Sequence, residues 1–193
     1  MIRTAIFSGS FNPIHIGHLM LANYIVEYEN VDEFWFVLSP QNPLKKQAEL
    51  SDDQLRLEML RSAVSEYPRF YACDIELSLP KPSYTVYTLQ ALNEKYPDRE
   101  FILIIGADNW LVFDRWKDYQ TIWNTYRVWI YPRPGYDLSD SPMPFPPLTK
   151  VISSPVFDIS STRIRRAISE GKDMKAFLPR PAYEMIKERK LYR

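Results

Sequence analysis

The chain has 193 residues, with 24 Lys and Arg against 24 Asp and Glu, two His and a single Cys. Balanced charge removes the global field that draws proteins to nucleic acid or to an anionic membrane, so an anionic partner must be met by local geometry. The lone Cys73 excludes an intrachain disulfide and a cysteine-based zinc site, and fits a reducing cytoplasm.

No apolar run approaches the ~20 residues of a membrane span, and the opening "MIRTAIFSGSF" is too poor in apolar residues for a signal peptide. The length is that of one domain with a substantial core. Apolar runs predict strands at 4–7, 33–38, 70–73, 101–105, 128–131 and 150–152. "FILII" at 101–105 is apolar throughout, as a strand covered on both faces should be. Between the strands, Leu19, Ala22 and Val26 recur at helical spacing, as do Leu57, Leu60 and Val64. Ser51, followed by Asp52, Asp53 and Gln54, reads as a capping box for the second of these helices.

A further helix is expected over 83–96, and others after Ser160 and Pro181, with 132–147 a proline-rich surface loop. The alternation predicts a Rossmann-like, doubly wound α/β fold with a mostly parallel sheet, helices on both faces and a small C-terminal helical part over about 159–193. Ligands of such a fold gather at the carboxyl ends of the strands.

"GSFNPIHIGHL", Gly9 to Leu19, follows the first strand and holds both histidines. The G-x-G-x-x-G and G-x-x-x-x-G-K-[ST] patterns are both absent. In their place stand Gly9, Ser10 and Phe11, then Pro13, then His15, Gly17 and His18. Packing, metal ligation and phosphate handling compete as readings of the two imidazoles. No third ligand of zinc type stands near them. A helix start offers unpaired amides and positive dipole, and imidazoles there donate to oxygens that gain charge during displacement.

"DISSTRIRRAI", Asp158 to Ile168, is the second unusual stretch. Ser160 or Ser161 suits an N-cap, and Ser161, Thr162 and Arg165 share one helix face. "GSFNPIHIGH" resembles the H-x-G-H signature of the nucleotidylyltransferase superfamily, and "ISSTRIR" resembles its second signature, I-S-S-T-x-I-R. Within that superfamily the chain is most similar to the bacterial nicotinate-mononucleotide adenylyltransferases. Class I aminoacyl-tRNA synthetases share H-x-G-H, but their K-M-S-K-S loop is missing here.

The resemblance implies transfer of the adenylyl group of ATP, with Mg²⁺, to nicotinate mononucleotide. It implies ATP contacts from Gly9, Ser10, Phe11, His15, His18, Ser161, Thr162 and Arg165. "SPQNPLKKQ" implies a phosphate cation, with Lys45 on the acceptor side and Lys46 catalytic beside His15, His18 and Arg165. "PSYTVYTL" places Ser83, Tyr84 and Thr85 at a helix start, where amides and a hydroxyl could receive a carboxylate, and Tyr84 and Thr85 are expected on the acceptor side. Gly106 and Asp108 would meet its ribose, Trp116 its pyridine and Arg133 its phosphate. From its residues alone Trp116 reads as core, like Trp35, Trp123 and Trp129. Asn12, where many members carry Asp, is expected to keep the turn's hydrogen bond. No protein metal ligand, nucleic-acid partner or membrane partner is implied. Other phosphorylated acceptors and a non-catalytic nucleotide sensor remain alternative readings.

Overall fold

The computed structural model describes residues 1–40 and 50–193. Six strands, β1 (Ile2–Gly9), β2 (Glu33–Leu38), β3 (Phe70–Cys73), β4 (Arg99–Gly106), β5 (Arg127–Tyr131) and β6 (Thr149–Val151), form one sheet in the order β3-β2-β1-β4-β5-β6. Every neighbouring pair is parallel. The chain runs outward from β1 to β3 and re-enters beside β1 as β4. Loops leaving β1 and β4 therefore diverge to opposite faces, and the gap between them is the ligand crevice of a doubly wound sheet.

Side-chain alternation divides the core. Phe34, Phe36, Ile102 and Ile104 face α1 (Ile16–Tyr28), α2 (Asp53–Val64), α6 (Ser161–Ser169) and α7 (Arg180–Glu188). Trp35, Val37, Leu103 and Ile105 face α3 (Thr85–Lys95), α4 (Ala107–Trp110) and α5 (Tyr119–Thr125). Each central strand therefore reads as continuous apolar sequence, because both of its faces are covered. Trp35 and Trp129 are core residues as expected, and Trp123 is partly buried. Among the described residues no helix is long and apolar enough to cross a membrane.

Two expectations need correction. The cap of α2 is Asp52, not Ser51: its Oδ1 accepts from the amides of Gln54 at 2.9 Å and Leu55 at 3.1 Å. A carboxylate is the stronger acceptor for orphan amides at a helix's positive end, and the Ser51 carbonyl is taken by Arg56 Nε at 3.0 Å. Helix α3 starts at Thr85, two residues later than expected, because Tyr84 is extended at φ −108° and ψ 133°.

Candidate active site

The carboxyl ends of β1, β4 and β5 open on a cleft of about 750 Å³. One wall is the loop between β1 and α1. His15 is the N-cap of α1, and its own amide donates to Nδ1 of His18 at 3.2 Å. That bond occupies the Nδ1 lone pair of His18 and puts the ring proton on Nε2, which becomes a donor. The Phe11 ring meets His18 edge-on at 5.1 Å, and the His15 and His18 rings stack at 3.6 Å with 17° between planes. Two stacked cations at that distance would repel by about 4–5 kcal/mol at an effective dielectric near 20.

His15 is 4% exposed, and burial, helped by the Arg133 cation, pushes its pKa down to about 3. It is a neutral ring at neutral pH. Gly17 makes the stack possible: a Cβ there would lie 3.1 Å from His15 Nδ1.

A pH dependence of stability follows. An unfolded His15 binds its proton near pH 6.5, whereas the folded one resists to about 3. Between those values the unfolded state holds the extra proton, so stability falls as pH drops below 6.5 and the loss is complete below about 3. Urea unfolding is expected to show about 2 kcal/mol lost between pH 7 and 5 from this ring. His15→Gln lacks that component, and equal pH slopes in the two proteins would refute the assignment.

The opposite wall is the start of α6. Ser160 is the cap, accepting from the Arg163 amide at 3.3 Å. Ser161 Oγ donates to the Pro13 carbonyl at 2.8 Å, and Arg165 Nη1 donates to the Asn12 carbonyl at 3.0 Å. The two sequence signatures are thus bonded to each other. Asn12 Oδ1 accepts from Tyr192 Oη at 2.9 Å and from the Ser51 amide at 3.4 Å, so this side chain ties the loop to segments far along the chain. Gly9, Ser10, Phe11, His15 and His18 line the cleft together with Ser161, Thr162 and Arg165.

The third wall comes from the second half of the sheet. Tyr84 and Thr85 line the cleft at the start of α3, a helix end whose first amides have no intrahelical partner. Asp108 and Arg133 face each other, Nε to Oδ1 at 3.6 Å. Gly106 lies beneath them rather than in the lining. A Cβ on it would fall 2.3 Å from Asp108 Oδ1 and 2.6 Å from Arg133 Cδ. Trp116 is half-buried at the rim, its ring tilted against Phe113 at 5.1 Å. It therefore has one face on the core and also lines the cleft. Lys45 and Lys46 lie outside the described residues.

Arg56 is a residue that the sequence reading passed over. It is 0% exposed in α2, and its guanidinium donates to the carbonyls of Ser10 at 2.5 Å and Ser39 at 3.0 Å and pairs with Asp53 at 2.5 Å. One cation holds the ends of β1 and β2 and the start of α2 together. Its signal was present in the sequence: Arg56 stands four residues before Leu60 and eight before Val64, a charge on the apolar face of a helix.

A parallel sheet in doubly wound order, with an imidazole-bearing loop bonded to a Ser-Thr-Arg helix start, defines a Rossmann-like nucleotidyltransferase. The family model described as "Cytidylyltransferase-like" matches residues 6–167. Proteins named "Probable nicotinate-nucleotide adenylyltransferase" from Bacteroides fragilis and Bacteroides thetaiotaomicron are each 52% identical to this chain. The first match covers 95% of this chain and 90% of the relative, and the second 97% and 92%. The chain belongs to the nicotinate-nucleotide adenylyltransferase family. Its fold is similar, at TM-score 0.81 and 19% identity, to that of a Plasmodium falciparum nicotinic acid mononucleotide adenylyltransferase complexed with NaAD, over 100% of this chain and 98% of that one.

Proposed function

We propose that this cleft transfers the adenylyl group of ATP to the 5′-phosphate of nicotinate mononucleotide, giving nicotinate adenine dinucleotide and pyrophosphate. The observation that carries this reading is the bonding of the loop that bears His15 and His18 to the Ser161–Arg165 helix start, in the same cleft that Tyr84, Asp108 and Arg133 line. Such an arrangement lays a triphosphate and a phosphate acceptor against each other. A phosphate oxygen of the acceptor attacks the α-phosphorus in line. A bond forms from that oxygen to phosphorus, and the bond to the β-bridging oxygen breaks, its electron pair leaving with pyrophosphate. The nucleophile is already an anion, so the enzyme contributes position and charge stabilisation.

In this reading Nε2 of His18 and the neutral His15 ring donate to α- and β-phosphate oxygens, while Arg165, Ser161 and Thr162 hold the outer phosphates. Gly9, Ser10 and Phe11 shape the nucleotide side, and Lys45 or Lys46 adds a cation. Among the described residues no three His, Cys, Asp or Glu side chains gather to hold a metal ion. Mg²⁺ would arrive with the substrate as MgATP, held largely by phosphates and water, because it keeps its waters and takes few protein ligands. Tyr84 and Thr85 receive the pyridine carboxylate, Asp108 takes the ribose hydroxyls and Arg133 the acceptor phosphate. In this reading both substrates are small molecules and the protein works in the cytoplasm.

Trp116 stacks on the pyridine, an interaction worth about 1–3 kcal/mol. Trp116→Ala is accordingly expected to raise KM for the mononucleotide about 5- to 100-fold while leaving KM for ATP near its original value. A change confined to ATP would move Trp116 out of the acceptor side. The direct test incubates the protein with MgATP and each pyridine mononucleotide separately, following pyrophosphate and dinucleotide by chromatography. Preferential product from the acid form is the expected result. Product from neither overturns the reading and favours another acceptor or a nucleotide sensor.

A further inference from the structure

Tyr131 closes β5 and lines the cleft, yet the reaction described above gives it no role. Its ring packs as a core aromatic would. It meets Phe7 edge-on at 6.0 Å, and Phe7 in turn lies 5.9 Å from His18. A phenylalanine would make the same contact, so the hydroxyl is the part that packing does not require. Nη1 of Arg133 donates to that hydroxyl at 3.4 Å.

This bond completes the hold on Arg133. Gly106 stands opposite Tyr131 in the ladder between β4 and β5. Its missing Cβ lets the Arg133 stem cross at that point, since a methyl there would fall 2.6 Å from Cδ and 3.2 Å from Cγ. Asp108 Oδ1 faces Nε at 3.6 Å, and Tyr131 takes Nη1. A guanidinium carries its donors in a rigid planar fork, so anchors at Nε and at one hydrogen of Nη1 set its plane. The outer edge, with N–H groups of both Nη1 and Nη2, is left to meet a phosphate in bidentate fashion.

The two anchors differ in kind. Asp108 offers a carboxylate, whereas Tyr131 offers a neutral phenol: burial pushes its pKa up, and the Arg133 cation offsets this only in part. A neutral acceptor orients the cation without cancelling the charge that an incoming phosphate needs. The Arg133 charge also bears on the buried His15 ring. Tyr131 therefore ties down the arginine of the acceptor side next to the imidazoles of the triphosphate side.

We propose that Tyr131 is a positioning residue for adenylyl transfer: its hydroxyl sets the plane of the Arg133 guanidinium and so aims the acceptor phosphate at the α-phosphorus of ATP. The inference rests on the acceptor reading given under the proposed function. Affinity and alignment separate here. An untethered guanidinium still attracts the phosphate, but a phosphate held in several orientations is in line for attack only part of the time. The loss falls on kcat rather than on KM.

Steady-state kinetics of Tyr131→Phe, which keeps the ring against Phe7, test it. The kcat is expected to fall about tenfold, the scale of one hydrogen bond to a charged group, with KM for each substrate within about threefold. A kcat within about twofold of wild type means that the tyrosine only packs, and overturns the proposal. So does a rise in KM for the mononucleotide at unchanged kcat, which would make the hydroxyl a simple binding contact. In an Arg133→Ala background, Tyr131→Phe is expected to change kcat by less than about twofold, because its effect runs through Arg133. A full tenfold loss there, or about that, means that the hydroxyl acts elsewhere, and also overturns it.

Nitrogen NMR of the arginine side chains in the wild-type protein gives a reading that needs no Tyr131 variant. The Nη signals of Arg133, assigned by their loss in Arg133→Lys, are expected to be resolved from each other, because an anchored guanidinium does not flip freely. A single averaged signal, in a protein that converts the acid mononucleotide, sinks this inference alone. Failure to convert either mononucleotide sinks the acceptor reading beneath it, and the inference with it.

Discussion

His18→Ala lowers kcat by about 10²–10³, the scale of removing one preorganised donor from developing transition-state charge. The size of the effect comes from how little freedom the ring has. The His15 amide holds its Nδ1, the His15 ring covers one face and the Phe11 ring meets it edge-on. Nε2–H therefore points where it points before ATP arrives, and no reorganisation is needed as charge moves onto the phosphate oxygens. The loss should fall on kcat more than on KM for ATP, because the donor matters most when charge is greatest. Single-turnover kinetics with a circular dichroism check of the fold decide it. Near-normal turnover in a folded His18→Ala protein removes the role assigned to the ring. His18→Asn or His18→Gln, which keep a neutral donor at a different reach, should fall between the two.

The largest effect on stability is expected at Arg56. Arg56→Ala strands the carbonyls of Ser10, Ser39 and Ser51, while Asp53, partly exposed, keeps its pairing with Lys81 at 3.2 Å. Each carbonyl left without a donor costs about 1–3 kcal/mol, and the loss of the half-exposed ion pair adds up to about 1 kcal/mol. The terms overlap, so about 4 kcal/mol of unfolding free energy is the expected loss, read as a lower urea midpoint at unchanged slope. Arg56→Met isolates the charge from the bulk: it fills much of the same space and should lose nearly as much. A loss under about 1 kcal/mol in the Ala variant would mean that the loops hold themselves.

Much of this architecture is legible in the sequence for a plain reason. Strands buried on both faces leave unbroken apolar runs, and the predicted segments 33–38 and 70–73 coincide with β2 and β3. The runs at 4–7 and 101–105 fall inside β1 and β4, whose ends are extended by pairing rather than by apolar composition. Helices α4 and α5, of four and seven residues, left no readable periodicity because neither completes more than two turns. His15, His18 and Arg165 stand out in the sequence because each sits in a compact motif that the family resemblance picks out. Arg56 does not, because the carbonyls it holds come from loops far from it along the chain, and its place on the apolar face of α2 is the trace it leaves. The cap of α2 was misplaced by one residue because serine and aspartate stand side by side, and only the tertiary use of the Ser51 carbonyl separates them.

The bonds that fasten the loop after β1 have a consequence in time. Ser161, Arg165 and Tyr192 reach back 148, 153 and 180 residues to Pro13 and Asn12. A ribosome delivers the histidine loop well over a hundred residues before its fasteners. A nascent chain can lay down β1 to β5 while its donors still lack the helix that braces them. The cleft is therefore complete only once α6 has been made, and a chain stalled before it lacks both the bonds that brace the histidine loop and part of the core under one face of the sheet.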